Sequence, residues 1–129
     1  MFDSKLMEVA DTLVANCRAG KEKEGLDALY APNAVSVEAA AMAEGAPRVF
    51  EGLDAIKAKH EQWREMMEEH SSKTDGPYLH GDDKFGVIFE LDATDRASGQ
   101  RMQMKEFGVY TVADGKIVRE EFYYTPPPQ

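Results

Sequence analysis

Tyr30-Ala-Pro-Asn-Ala-Val-Ser-Val-Glu38 leads into Ala39-Ala-Ala-Met-Ala-Glu-Gly-Ala-Pro47, then Arg48-Val-Phe-Glu-Gly52, then a helical pattern from Leu53. Val35 and Val37 predict a short strand over Ala34 to Glu38. The alanines of 39–47 would suit a helix, but Gly45 and Pro47 break it, so the segment reads as a loop or lid. Val49 and Phe50 read as a brief strand closed by Gly52. Beyond it Ile56, His60, Trp63, Met67 and His70 recur in steps of four, three, four and three, which is one face of a helix. A helix is therefore predicted from Leu53 to His70, with Asp54 early in it to suit the dipole. An acidic strand end, a loop and a helix bearing His60 and Trp63 together predict the wall of a pocket.

Outward from this stretch the chain divides in two. Residues 3–19 place Leu6, Val9, Ala10, Leu13, Val14 and Cys17 on one helical stripe. Asp3 or Ser4 would cap its start, and Gly20 sits where a C-terminal glycine belongs. A second helix is predicted over Glu22 to Tyr30 and ended by Pro32, since the residue before proline leaves helical geometry. After Ser71 the period changes to two, and Pro77–His80, Lys84–Thr94, Arg101–Val112 and Lys116–Tyr124 read as strands. Gly81-Asp-Asp83, Asp95–Gly99 and the tight-turn pair Asp114-Gly115 separate them. Alternation groups Phe85, Val87, Phe89 and Leu91 on one face, and Met102, Met104, Glu106, Gly108, Tyr110 and Val112 on one face of the next strand.

This is a single α+β domain over 1–129: three helices in the first half, packed on a curved, mostly antiparallel sheet that leaves an internal pocket. The other faces of these strands also carry apolar residues, Ile88, Phe107 and Val109, so one face of the sheet can meet the helices and the other needs cover, which predicts a homodimer through the sheet. Thr125-Pro-Pro-Pro-Gln129 reads as an extended tail.

A net charge of −9 over 129 residues argues against nucleic acid or an anionic membrane as a partner. No apolar run approaches the roughly 20 residues that span a bilayer. The start, Met-Phe-Asp-Ser-Lys, lacks the order of a signal peptide. One cysteine cannot form an internal disulfide, so a cytoplasmic setting is expected. His60, His70 and His80 show no metal-binding spacing, and no glycine-rich phosphate loop occurs, so no cofactor is expected.

Tyr30-Ala-Pro-Asn-Ala-Val-Ser-Val-Glu38, Glu51-Gly-Leu-Asp-Ala-Ile56 and Val112-Ala-Asp-Gly-Lys-Ile-Val-Arg-Glu-Glu-Phe122 resemble the nuclear transport factor 2-like superfamily, and within it the SnoaL-like group. The resemblance spans Leu6 to Tyr124 and implies a cone-shaped sheet, a deep apolar pocket and a homodimer. The fold hosts isomerases, cyclases, hydrolases, dehydratases and binders, so it does not fix an activity. Against ketosteroid isomerase, Glu38 falls at the position of the general base. Leu13 falls where an oxyanion-hole tyrosine would stand, and Gly108 where the aspartic acid would, with Glu106 the nearest acid on that face.

The candidate site is therefore Glu38 as base and His60 as acid or donor, walled by Leu13, Trp63, Met67, Met104, Glu106 and Tyr110. Burial raises a carboxyl's pKa and lets it move protons near neutrality. The plainer alternatives are a solvated strand-end glutamate, a satisfied core histidine and ordinary core aromatics. Two function classes follow. One is cofactor-free isomerase- or cyclase-type acid/base chemistry on an apolar small molecule. The other is a homodimer that binds or senses such a molecule without turnover.

Overall fold

The computed structural model describes residues 4–125. Helix α1 spans Ser4–Ala19 and α2 spans Glu22–Leu29; strand β1 is Tyr30–Val37 and β2 is Val49–Glu51. Helix α3 is Leu53–Met66, followed by β3 (Met67–His80), β4 (Lys84–Asp95), β5 (Arg101–Ala113) and β6 (Lys116–Tyr123). The six strands form one sheet in the order β2-β1-β6-β5-β4-β3, parallel only between β1 and β6. The three helices and this mixed, unclosed sheet give the α+β cone that the sequence predicts.

The predicted stripe on α1 is the core: Leu6, Val9, Ala10, Leu13, Val14 and Cys17 are all buried. They meet Leu26 and Leu29 of α2, Ile56 of α3 and Phe85, Val87, Tyr110, Val112 and Ile117 of the sheet. Gly20, at φ 70°, turns the chain so that the Lys21 N–H reaches the Asn16 carbonyl at 2.8 Å. Asp114 and Gly115, at φ 52° and 76°, make the tight hairpin between β5 and β6. The Asp3 cap and the Pro126–Gln129 part of the tail lie outside the described residues.

Two boundaries differ from the sequence reading. Helix α2 ends at Leu29, and β1 begins at once with Tyr30, carrying Pro32 within it. Glu38 is then the first residue past β1, where its N–H donates to the Arg48 carbonyl at 2.8 Å. The larger difference is at α3, which stops at Met66 rather than His70. Met67 is extended, and Met67–His80 pairs with β4 along its length. This edge strand is mostly exposed and lacks apolar alternation, so nothing in its side chains announces a strand. Met67 and His70 continue the helical spacing by coincidence of sequence. Ile56 and Lys59 are the buried residues of α3, while His60 and Trp63 are half-buried beside them.

Replacement of Ile56 by alanine removes a fully buried side chain and is expected to cost about 2–5 kcal/mol in denaturant unfolding. His70→Ala, on the exposed edge, is expected to stay within about 0.5 kcal/mol. The opposite ranking would mean that α3 presents a different face.

Candidate functional site

Between α3, β1 and β6 lies a buried charged cluster. Glu120 is only 1% exposed. Its Oε1 accepts from the Tyr30 hydroxyl, and its Oε2 accepts from Ser36 Oγ at 2.8 Å. Lys59 Nζ donates to Ser36 Oγ at 2.5 Å and lies 3.5 Å from Glu120 Oε2. The same ammonium lies 3.4 Å from Glu38 Oε2. It sits over the faces of Phe122 and Phe50, 4.9 and 5.3 Å from their centroids. The side chains of Lys59 and Glu38 are 10% and 16% exposed, so the cluster is largely dry and its charges are weakly screened.

Each contributor has a local cause. The β1–β6 register sets Ser36 opposite Glu120. Lys59 follows the core residue Ile56 by one helical turn, so it shares that residue's inward face. In β6, Ile117 and Arg119 pair with the successive residues Val112 and Thr111, leaving Val118 as an extra residue. That bulge shifts the phase of the strand, so Ile117 and Glu120 are both buried although simple alternation would set them on opposite faces.

Of the predicted site residues, Glu38 and Glu106 join this cluster. The Glu106 pKa is raised to about 7, chiefly by burial and then by the Glu38 charge, with Lys59 opposing and Glu120 adding. Burial also raises Glu38, whereas the Lys59 ammonium pulls it back. Two carboxyls, Glu38 and Glu120, thus share one ammonium, and Glu106 feels their charges from nearby. Tyr110 is buried in the floor, stacked on Phe85 at 4.9 Å and edge-on to Phe122 at 6.1 Å. His60 and Leu13 line an interior cavity of about 50 Å³ with Tyr30, Glu120 and Phe122. Burial lowers the His60 pKa, and Glu120 partly restores it. Met67 is buried but in β3, and Met104 borders an open groove of about 430 Å³ over β3, β4 and β5 instead of the cavity.

Lys59, Glu120, Ser36 and Tyr30 escape the sequence reading. The one signal that could have found Lys59 was its i+3 spacing from Ile56. Cys17, pushed up to about 12 chiefly by burial, is the inert thiol that its helix face predicts. Among the described residues no three His, Cys, Asp or Glu side chains converge so as to hold a metal ion. Nor is any helix there long and apolar enough to cross a membrane.

A family model described as a SnoaL-like domain matches residues 5–124. Similar solved structures include a Mesorhizobium loti protein given as a candidate SnoaL-like polyketide cyclase. It is 36% identical, with 92% of this chain and 97% of the other covered and a TM-score of 0.84. A candidate isomerase from Bacillus subtilis is 24% identical, with 95% and 87% covered and a TM-score of 0.75. TerC, co-crystallised with polyporic acid, is 18% identical, with 95% and 92% covered and a TM-score of 0.73. At the identities of the last two, the likeness shows the fold alone. No curated protein sequence matches the chain.

The Glu106 shift has a stability consequence. Its folded pKa of about 7 exceeds the ordinary 4.5, so the folded state binds the extra proton between those values. Stability from this group is therefore lost as pH rises from about 4.5 to 7. Glu106→Gln is expected to stabilise the protein at pH 8 by on the order of 1–3 kcal/mol and to do little at pH 4. Denaturant melts at both values check this; equal effects would place the carboxyl in water.

Proposed function

This chain belongs to the SnoaL-like family of the nuclear transport factor 2-like superfamily, and on that footing we propose that it performs proton transfer on an apolar, carbonyl-bearing small molecule. One observation carries the reading: Glu38 is paired with Lys59 at 3.4 Å, whereas nearby Glu106 is pushed up to about 7 chiefly by burial, so the surroundings of the two carboxyls differ. Paired carboxyls in unlike surroundings divide the roles of base and acid.

Glu38, paired with Lys59 at 3.4 Å, removes a proton from the carbon beside the substrate carbonyl. The electron pair moves onto the carbonyl oxygen as an enolate. Glu106, protonated below about pH 7, returns a proton elsewhere on the conjugated system, which completes an isomerisation; an internal electrophile in its place gives a cyclisation. Proton exchange with water resets the two carboxyls. His60, held neutral by burial, is a further donor reached through the cavity. The chemistry is organic acid/base chemistry, without metal or organic cofactor. The names of the polyketide cyclase and isomerase relatives support this class, and the polyporic acid held by TerC supports a small organic ligand.

A second reading, binding without turnover, is favoured by one feature. The Glu38–Lys59 ion pair at 3.4 Å weakens the carboxylate as a base. A metabolite screen by thermal shift, with each hit then checked for conversion, separates the two. For the enzyme, Glu38→Gln is expected to lower turnover at least about 100-fold. The rate is expected to fall as pH rises through about 7, where Glu106 loses its proton. A hit that binds tightly and leaves unchanged supports the binder.

The same reading includes a homodimer. Pairing sets Tyr78, Gly86 and Val109 on one rung and Ile88, Phe107 and Tyr123 on the next rung of that face. Tyr78, Phe107 and Tyr123 are 51%, 39% and 55% exposed, and the Phe107 ring lies over the bare backbone of Gly86. A self-complementary aromatic patch suits a second copy of the chain. Light scattering is expected to give a dimer for the protein and a monomer for Phe107→Asp. A wild-type monomer at micromolar concentration would refute it.

A further inference from the structure

The proposed proton transfer leaves negative charge on an oxygen, and something must hold it. Within the cluster the hydroxyls of Tyr30 and Ser36 both donate to Glu120. The Tyr124 hydroxyl donates to the Ala40 carbonyl at 3.4 Å. Lys59 differs. An ammonium has three protons, and only the contact to Ser36 Oγ, at 2.5 Å, is short. Its contacts to Glu38 and Glu120 are 3.4 and 3.5 Å, loose ion pairs that a ligand oxygen can improve upon.

We propose that Lys59 is the catalytic residue that binds the substrate's carbonyl oxygen and carries the charge that forms on it. The inference rests on the proton-transfer reading and names the group that reading lacks. Charge is conserved across the step. Before it, Lys59 is paired with the Glu38 carboxylate. When Glu38 takes the proton from carbon it becomes a neutral acid, and the ammonium's partner becomes the enolate oxygen. One anion replaces another beside the same cation, so no new buried charge is created.

The rest of the cluster is built to keep the ammonium in place. Glu120, Tyr30 and Ser36 are positioning residues on β6 and β1, and they hold Lys59 through Ser36 and the 3.5 Å ion pair. Phe50 and Phe122 flank the nitrogen with ring faces that exclude water and tolerate a cation. A pre-set donor in a dry site is the arrangement that stabilises a developing oxyanion most, because little has to reorganise.

The test uses 4-nitrophenol as the probe, since its phenolate imitates the enolate oxygen and absorbs apart from the neutral phenol. Glu38→Gln protein serves as the parent, because the amide imitates the base after it has taken its proton. In that parent the bound probe is expected to have its pKa lowered by at least one unit, a tenfold shift. Nitrobenzene, which lacks the oxygen, is expected to bind at least tenfold more weakly. Lys59→Met joined to Glu120→Gln, which removes both buried charges together, is expected to abolish the shift, and Lys59→Arg to retain part of it. An undiminished shift in the double replacement overturns the inference, as does its loss on Tyr110→Phe alone. If nitrobenzene binds as well as 4-nitrophenol and no shift is seen, the pocket stands and the role of Lys59 falls. If neither probe binds, both fall. Should the double replacement not fold, the comparison of the two probes in the parent decides.

Discussion

The closure of β1 against β6 holds the architecture together, and a buried acid lies inside that closure. Glu120 is fully enclosed, yet both its oxygens are satisfied: one by Tyr30, the other by Ser36, with the Lys59 ammonium alongside. An unpaired carboxylate there would cost several kcal/mol. The strand register, the inward face of α3 and the ring contacts of Phe122 must therefore agree with one another. The parallel pairing that joins the first and last strands of the chain and the polar network that spans it are the same constraint seen from backbone and side chain.

That constraint explains the electrostatics of the site. Lys59 is shared by Glu38 and the more deeply buried Glu120, and Glu106 is left as the poorly compensated carboxyl. The three acids are thus made unequal by position rather than by type. One is buried against Tyr30, Ser36 and Lys59, one is loosely paired with Lys59, and one is pushed up to about 7, chiefly by burial.

Much of this was legible in the chain. The α1 stripe, the Gly20 stop, the Asp114-Gly115 hairpin and the grouping of Glu106 with Tyr110 on one face of β5 all follow from periodicity and turn chemistry, and the structure keeps them. Which face of β5 turns inward was not legible, because both faces of the sheet carry apolar residues. The β3 strand was not, because an exposed edge gains its stability from backbone pairing with β4 and leaves no apolar trace. Lys59 and Glu120 were not, because isolated charged residues read as surface. Their partners lie 23 and 84 residues away, and the bulge at Val118 moves Glu120 to the face where alternation does not look for it.

The distance along the chain between Ser36 and Glu120 has a consequence for biosynthesis. On a ribosome adding about 5–20 residues per second, β1 and α3 emerge several seconds before β6 exists to meet them. During that interval Tyr30, Ser36 and Lys59 have no carboxylate to close around, and the β1 edge stands open to other chains. The last strand made is therefore the one that joins β1 to β5 and brings Glu120, so a nascent or truncated molecule lacking it has neither a continuous sheet nor the carboxyl that Tyr30, Ser36 and Lys59 meet.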